Sequence, residues 1–127
     1  MKVALTVWEN RISPVFDSAR MLLIAEIENA MIVGKRYEPF QPDLPFYRAA
    51  TLFELGVTVL ICGAVSQLFA NMIEACGIRI VPFVAGEVNE ILEAYLKQMP
   101  VSRIFRMPGC RNRRRNRFNR RMRFQKI

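Results

Sequence analysis

In this 127-residue chain, two loops carry the side chains that are best suited to bind a ligand. One is Cys62-Gly63-Ala64-Val65-Ser66, which ends an apolar, β-branched run that begins at Val57. Gly63 would let a ligand approach the backbone closely. Ser66 is typical of a helix N-cap, and the free N–H groups that follow it favour an anion. Cys62 could supply a thiolate whose pKa is lowered by the helix terminus. The same pattern is also common where a strand enters a helix, and a small buried cysteine is an ordinary core residue.

The second loop, residues 9–20, carries charged and hydroxyl side chains. Arg11 and Arg20 could add positive charge from the side facing the first loop. Asp17 either caps a short helix over residues 18–20 or takes part in a pocket. The two carboxylates of this loop, Glu9 and Asp17, have no spacing that indicates a hydrolase. Together the loops predict an anion-binding pocket.

The secondary structure predicted around these loops begins with three strands. Lys2 to Trp8 is a β-type run that predicts a strand buried on both faces. Met21 to Glu28 and Met31 to Glu38 are two further strand candidates, and the short polar break at Asn29-Ala30 predicts a hairpin between them.

The rest of the chain alternates between helix and strand. Apolar residues at helical spacing predict a first helix, ending at Gly56, with Phe46, Ala49, Ala50 and Phe53 on its buried face. After the strand Val57 to Cys62, a helix capped by Ser66 would bury Leu68, Phe69, Met72, Ile73 and Cys76. Ile78 to Val81 predicts a short strand. A last helix, ended by Pro100, carries the stripe Val88, Ile91, Leu92, Tyr95, Leu96 and Met99.

The order β-β-β-α-β-α-β-α predicts an α/β fold with a mixed, mostly parallel five-stranded sheet and helices packed on it. Ligands of such sheets bind outside the carboxyl ends of the strands, where the winding direction reverses. If the first strand and the Val57–Cys62 strand are neighbours, both loops meet at that point. We predict a folded domain over residues 1–105, with a linker over residues 101–108 and a separate segment over residues 106–127.

Composition excludes several classes of site. The chain has no histidine, so Ser-His and Cys-His catalytic pairs and histidine-based metal sites are excluded, and we expect no enzyme activity. Three cysteines at wide spacing argue against a disulfide framework and for the reducing cytoplasm. The longest apolar stretch, Val57 to Val65, is too short to cross a membrane.

The C-terminal tail, residues 111–127, holds nine Lys or Arg and no acidic residue, whereas residues 1–110 hold ten Lys or Arg against eleven Asp or Glu. One interpretation is an arm for RNA or DNA, with Phe118 and Phe124 stacking on bases. Others are attachment to an acidic membrane surface, pairing with an anionic cluster or an acidic partner protein, and a disordered solubilising end. The candidate nucleic-acid contacts are Arg113, Arg114, Arg115, Arg117, Arg120 and Arg121.

Four segments in order resemble the dinitrogenase iron–molybdenum cofactor biosynthesis family over about residues 1–99. They are MKVALTV at the start, RISPVFDSARMLLIAEIEN from residue 11, LFELGVTVLICGAVS from residue 52, and ACGIRIV followed by EVNEILEAYL. The resemblance implies a ribonuclease-H-like fold. It also implies a groove between the two loops for an anionic iron-, molybdenum- or copper-containing sulfide cluster.

The resemblance implies a small carrier for such a cluster or for a cofactor precursor, with cofactor-assembly proteins as partners. The matching loop positions are Ser13, Phe16, Asp17, Cys62, Gly63 and Ala64. Together with the residue-based candidates Arg11, Arg20 and Ser66 they form the predicted binding set, and Cys62 is the candidate metal ligand. Val15 stands where the family frequently has histidine, so any histidine-dependent ligation is lost.

Overall fold

The computed structural model of the chain describes residues 1–41 and 44–109. Its strands are β1 (Lys2–Trp8), β2 (Arg11–Ile12), β3 (Met21–Glu28), β4 (Met31–Pro39), β5 (Val57–Ile61) and β6 (Arg79–Val81). Its helices are α1 (Pro45–Glu54), α2 (Gln67–Ala75), α3 (Val88–Leu96) and α4 (Val101–Ile104), and a 3₁₀ turn spans Phe16–Ser18. The predicted α/β class with a mixed sheet is confirmed. The described sheet has six strands where five were predicted, because β2 lies inside the predicted 9–20 loop, and two of its pairings, β1–β5 and β5–β6, are parallel.

The sheet is mixed and has the order β4-β3-β1-β5-β6, with β2 paired to the end of β1. Strand β3 runs antiparallel to both β1 and β4, whereas β5 is parallel to β1 and β6 is parallel to β5. Because β1 lies between the hairpin and the crossover strands, the winding direction reverses between β1 and β5. The first strand and the Val57–Cys62 strand are therefore neighbours, which is the condition on which the predicted meeting of the two loops rested.

The β3–β4 hairpin turns at Asn29 and Ala30, which have φ angles of 53° and 62°. A two-residue loop with both residues at positive φ has the twist that matches paired strands. The hairpin makes β4 the outer strand of the sheet, and most of its residues are exposed. This placement leaves β3 buried beneath helices on both faces.

Helices cover both faces of the sheet. On one face α1 and α2 pack against a core that includes Ala4, Leu22 and Leu60. On the other face α3 and α4 pack against a core that includes Leu5 and Ile61. None of the helices in the described part of the chain has the length and apolarity needed to span a membrane.

The predicted buried face of α1 is confirmed at Ala49 and wrong at Phe46 and Phe53. Arg48, Ala49 and Leu52 face the core, whereas Phe46 and Phe53 are 64% and 62% exposed. The helical spacing of the aromatic residues predicted that they face the core. Instead Leu52 packs in the core, and the buried Arg48 lies one helical turn before it. Leu68 of α2, also predicted to be buried, is 58% exposed, because Phe69 and Ile73 define the inner face of that helix.

The prediction of a linker over residues 101–108 is also wrong. Val101 is buried against α3, and the chain continues through α4 to a backbone bridge between Arg106 and Val84. Ala85 N donates to Phe105 O at 2.7 Å, and Met107 N donates to Phe83 O at 2.9 Å. These bonds attach the segment to residues 83–85, which follow β6, and Val101 and Phe105 pack against the same core as α3.

Candidate binding site at the carboxyl ends of the strands

The two predicted loops meet, and they bond directly to each other. Val15 and Ala64 form a parallel backbone bridge. Phe16 N donates to Ala64 O at 2.7 Å, and Ala64 N donates to Pro14 O at 2.8 Å. We call this contact between residues 13–16 and 63–64 the seam. The predicted groove between the loops is therefore closed by the chain's own backbone.

Gly63 makes the seam possible. A Cβ atom at this position would lie 2.5 Å from Ser13 O and closer still to Pro14 O. Real Cβ atoms do not approach a carbonyl oxygen so closely, so no other residue fits here without moving the loop. The expectation that Gly63 opens the backbone to a ligand is wrong, because backbone atoms of Ser13 and Pro14 occupy the space that a side chain at Gly63 would fill.

Two predicted binding residues lie beneath the seam in the core. Phe16 and Cys62 are both fully buried, and the Phe16 ring meets the Phe69 ring edge-on at 5.1 Å between centroids. Burial raises the pKa of the Cys62 thiol, and the negative charge of Asp17 raises it further. The predicted lowering of this pKa is wrong, because the cost of burying a thiolate exceeds any attraction to the start of α2. Cys62 thus lies in the core with its thiol pKa raised, and its role as a metal ligand stays a prediction.

Asp17 and Ser66 close the start of α2. Ser66 caps the helix as predicted, since its side chain accepts a hydrogen bond from Phe69 N at 3.3 Å. Asp17 Oδ1 accepts a longer bond from Ser66 N at 3.4 Å. The short 3₁₀ turn begins before Asp17, so its predicted role as a cap of residues 18–20 is wrong. The carboxylate of Asp17 already lies beside the helix start that was predicted to bind an external anion.

Arg48 holds the site loop from below and was not found by sequence reasoning. Its side chain is 1% exposed, and its guanidinium donates to the carbonyl oxygens of Phe16, Asp17, Ala19 and Phe40. The guanidinium also lies 3.8 Å from the centre of the Phe40 ring. In the sequence, Arg48 is marked only by its position one helical turn before Leu52. Because charged side chains are mostly exposed, that position did not predict its burial.

An open cleft lies beside the seam, on the side of β3 and β4. Its volume is about 720 Å³. Its lining joins the end of β1 to the start of β3 and comprises Val7, Trp8, Glu9, Ser13, Pro14, Ser18, Ala19, Arg20, Met21 and Tyr37. We call it the edge cleft. Of the predicted binding residues it takes in Ser13 and Arg20.

The edge cleft combines the positive charge of Arg20 with the polarisable thioether of Met21 and two exposed aromatic rings. Trp8 and Tyr37 are 63% and 57% exposed, Met21 presents a thioether, and Arg20 is exposed. Trp8, Met21 and Tyr37 were not predicted as site residues, because they were assigned to strands and strands were not expected to line the site. The signal that could have found them is their position, since Trp8 ends β1 and Met21 begins the neighbouring β3.

Arg11 is exposed and lies outside the lining of the edge cleft, on β2, where its backbone forms a bridge with Glu87. Within residues 1–41 and 44–109 there is no group of three or more His, Cys, Asp or Glu side chains that could hold a metal ion. The arginines predicted to contact nucleic acid, from Arg113 to Arg121, and Cys110 all lie outside the described residues.

Comparison with protein families identifies the lineage. Residues 1–98 match the model of the family described as dinitrogenase iron-molybdenum cofactor. The chain belongs to this family. The membership links the chain to iron–molybdenum cofactor biosynthesis and confirms the resemblance seen in the sequence. No curated protein matches the sequence significantly.

Solved structures show the same fold. PH0822 aligns with a TM-score of 0.73 at 16% identity, covering 78% of this chain and 93% of its own. The MJ0327 protein of Methanocaldococcus jannaschii, provisionally described as a dinitrogenase, aligns with a TM-score of 0.63 at 18% identity, covering 77% and 89%. The TM1290 protein of Thermotoga, provisionally described as a NifB protein, aligns with a TM-score of 0.61 at 19% identity, covering 76% and 87%. At these identities the likeness concerns the fold alone.

Proposed function

We propose that this family member is a non-catalytic carrier of an anionic metal–sulfide cluster or of an iron–molybdenum cofactor precursor, and that the edge cleft holds this cargo. One observation carries the proposal. At the carboxyl edge of the sheet, Arg20 shares the cleft with the thioether of Met21 and the exposed rings of Trp8 and Tyr37.

The chemistry of the lining suits a preassembled cluster better than a single metal ion. A metal–sulfide cluster is large, negatively charged and polarisable. Arg20 can donate charge-assisted hydrogen bonds to such an anion, and the hydroxyls of Ser13 and Ser18 can donate weaker ones. The thioether of Met21 and the two rings offer soft contact surface. Binding would therefore rest on charge and contact with the cluster surface.

Glu9 is the one acidic residue of the lining, and its carboxylate opposes an anion. The proposal therefore predicts opposite effects for two neutralising substitutions in one cleft. Glu9→Gln should strengthen binding and Arg20→Gln should weaken it. A nonspecific effect of net charge would give the same two signs, but equally strongly for a Glu→Gln or Arg→Gln substitution outside the cleft.

The test uses the full chain and tetrathiomolybdate as a small anionic metal–sulfide probe, titrated without oxygen and followed by absorbance. Arg20→Gln should weaken binding by roughly ten- to a hundredfold, the range expected for one charge-assisted hydrogen bond. Arg79→Gln is the matched control, because Arg79 is also an exposed arginine but lies at the amino end of β6. Equal binding by the two variants, or no binding by the unmodified chain, would exclude the edge cleft as the cargo site. Metal analysis of the protein as purified then identifies a natural cargo.

A nucleic-acid role of the tail stays a second candidate, favoured by nine positive charges without an acidic residue. Replacing Arg113, Arg114 and Arg115 with Gln in the full chain should lower RNA retention by more than tenfold at about 0.15 M salt, because the affinity of such arms is mainly electrostatic. Unchanged retention would remove this candidate and leave the carrier proposal untouched.

A further inference from the structure

The outer face of α1 is an apolar surface that the core does not use. Phe46, Tyr47 and Phe53 are 64%, 54% and 62% exposed. Phe46 and Tyr47 stack edge-on, with 5.6 Å between ring centroids. Ala50, half-buried, lies between Phe46 and Phe53 on the same side of the helix. We call these four residues the α1 face.

The α1 face has the composition of a protein interface. Its side chains are aromatic or small, and Glu54 is the one exposed charged residue of the helix. Interface centres are enriched in aromatic residues and depleted of charge, whereas ordinary exposed helix faces are polar. With one exposed charged residue on the helix, contact here would rest on apolar and aromatic surface, which an uncharged partner face matches.

The α1 face is also complementary to itself. Phe46 and Phe53 are seven residues apart, about 10 Å along the axis at 1.5 Å per residue. Two antiparallel copies of α1 related by a two-fold axis near Ala50 would place each Phe46 against the Phe53 of the other copy. The small Ala50 would let the helices approach closely at the axis. In this arrangement Glu54 would lie opposite Pro45, so no like charges would meet.

The three rings supply more than half of the area that such a contact needs, and neighbouring residues must supply the rest. An aromatic side chain has roughly 200 Å² of surface, so three rings that are more than half exposed offer about 350 Å² per copy. Two copies would bury about 700 Å² from the rings alone, more than half of the ~1,200 Å² at which specific interfaces begin. We infer that the α1 face is the dimer interface of this protein, with a second copy of the chain as its occupant.

The test is sedimentation velocity of the full chain between about 1 and 100 µM. Salt near 0.5 M should be present to screen repulsion between the tails. We expect a concentration-dependent dimer. Phe46→Ser with Phe53→Ser should raise its dissociation constant at least about a hundredfold, as for buried aromatic residues at interface centres. Ala50→Glu, which puts two like charges beside the axis, should also abolish the dimer.

The matched control is Met31→Ser with Val33→Ser on β4, where both side chains are similarly exposed. These substitutions should leave the dissociation constant unchanged, and circular dichroism checks that every variant is folded. A monomer at all concentrations would overturn the inference and leave the α1 face for a different occupant. A dimer that tolerates the α1 substitutions, or that the β4 substitutions disrupt, would also overturn it by placing the interface elsewhere.

Discussion

The guanidinium of Arg48 donates a hydrogen bond of 2.8 Å to the backbone carbonyl oxygen of Asp17, 31 residues earlier in the chain. The same side chain reaches the carbonyl oxygens on either side, at Phe16 and Ala19. A buried side chain thus fixes the backbone of the loop that forms one wall of the candidate site. This contact connects the core beneath α1 to the shape of the edge cleft.

Replacing Arg48 with Met should lower the free energy of unfolding by roughly 2 to 4 kcal/mol, because buried carbonyl groups lose their donors. Arg48→Lys keeps the charge but has a single nitrogen, so it should restore part of this loss. Arg103→Met on the exposed part of α4 is the control and should change stability by less than about 0.5 kcal/mol. Urea denaturation measures these values. A loss at Arg48 no larger than at Arg103 would show that the contact does not hold the loop.

Gly63→Ala should open the seam. The added Cβ would lie 2.5 Å from Ser13 O, so the loops must separate, at a cost of roughly 2 to 3 kcal/mol. Gly34→Ala is the matched control, because nothing lies within 4 Å of a Cβ there. It should be neutral or slightly stabilising, since alanine suits a strand better than glycine does. Thermal denaturation compares the two variants, and equal melting temperatures would contradict the close packing of the seam.

The raised pKa of Cys62 predicts how stability depends on pH. The unfolded chain loses this thiol proton near pH 8.5, whereas burial keeps the folded thiol protonated. The stabilisation from this group is therefore complete below pH 8.5 and is lost as the pH rises above it, at up to about 1.4 kcal/mol per pH unit.

Cys62→Ala should show a smaller decrease in unfolding free energy above pH 8.5 than the unmodified chain does. The comparison uses the slopes with pH, because the substitution also leaves a small cavity. Native Cys62 should resist iodoacetamide at pH 8.5 and react once the chain is unfolded. Rapid native alkylation of Cys62 would mean that the thiol is accessible and that its pKa is not raised by burial.

Ala30→Gly should stabilise the hairpin. Ala30 has a φ of 62°, and a left-handed conformation costs a non-glycine residue roughly 1 to 2 kcal/mol. Glycine removes this strain and creates the Asn-Gly pair that two-residue hairpins prefer, so we expect a gain of about 1 kcal/mol. Ala75→Gly in the exposed last turn of α2 should instead destabilise by about 0.5 to 1 kcal/mol. If both changes destabilise, the turn is not strained at Ala30.

Much of the fold could be predicted because the signals are local. The β-branched run of β1, the Asn29-Ala30 break and the Ser66 cap each indicate their structure within a few residues. The site could be placed only at the level of its loops. The two predicted loops do meet at the β1–β5 boundary, yet the residues expected to bind ligand close the seam, and the cleft opens beside it.

The sequence predicted strands β1 and β3 to β6 and helices α1 to α3 in order, and it separated a nearly neutral body from a tail of nine positive charges. These features depend on hydrophobic period, turn residues and charge count, which are read along the chain. The three-dimensional structure was needed to show that β1 and β5 are neighbours, that Arg48 and Cys62 are buried, that Phe46 and Phe53 are exposed, and that Trp8 and Tyr37 share a cleft. Each of these features depends on contacts between residues that are far apart in the sequence. The spacing of residues along one helix or strand does not specify such contacts.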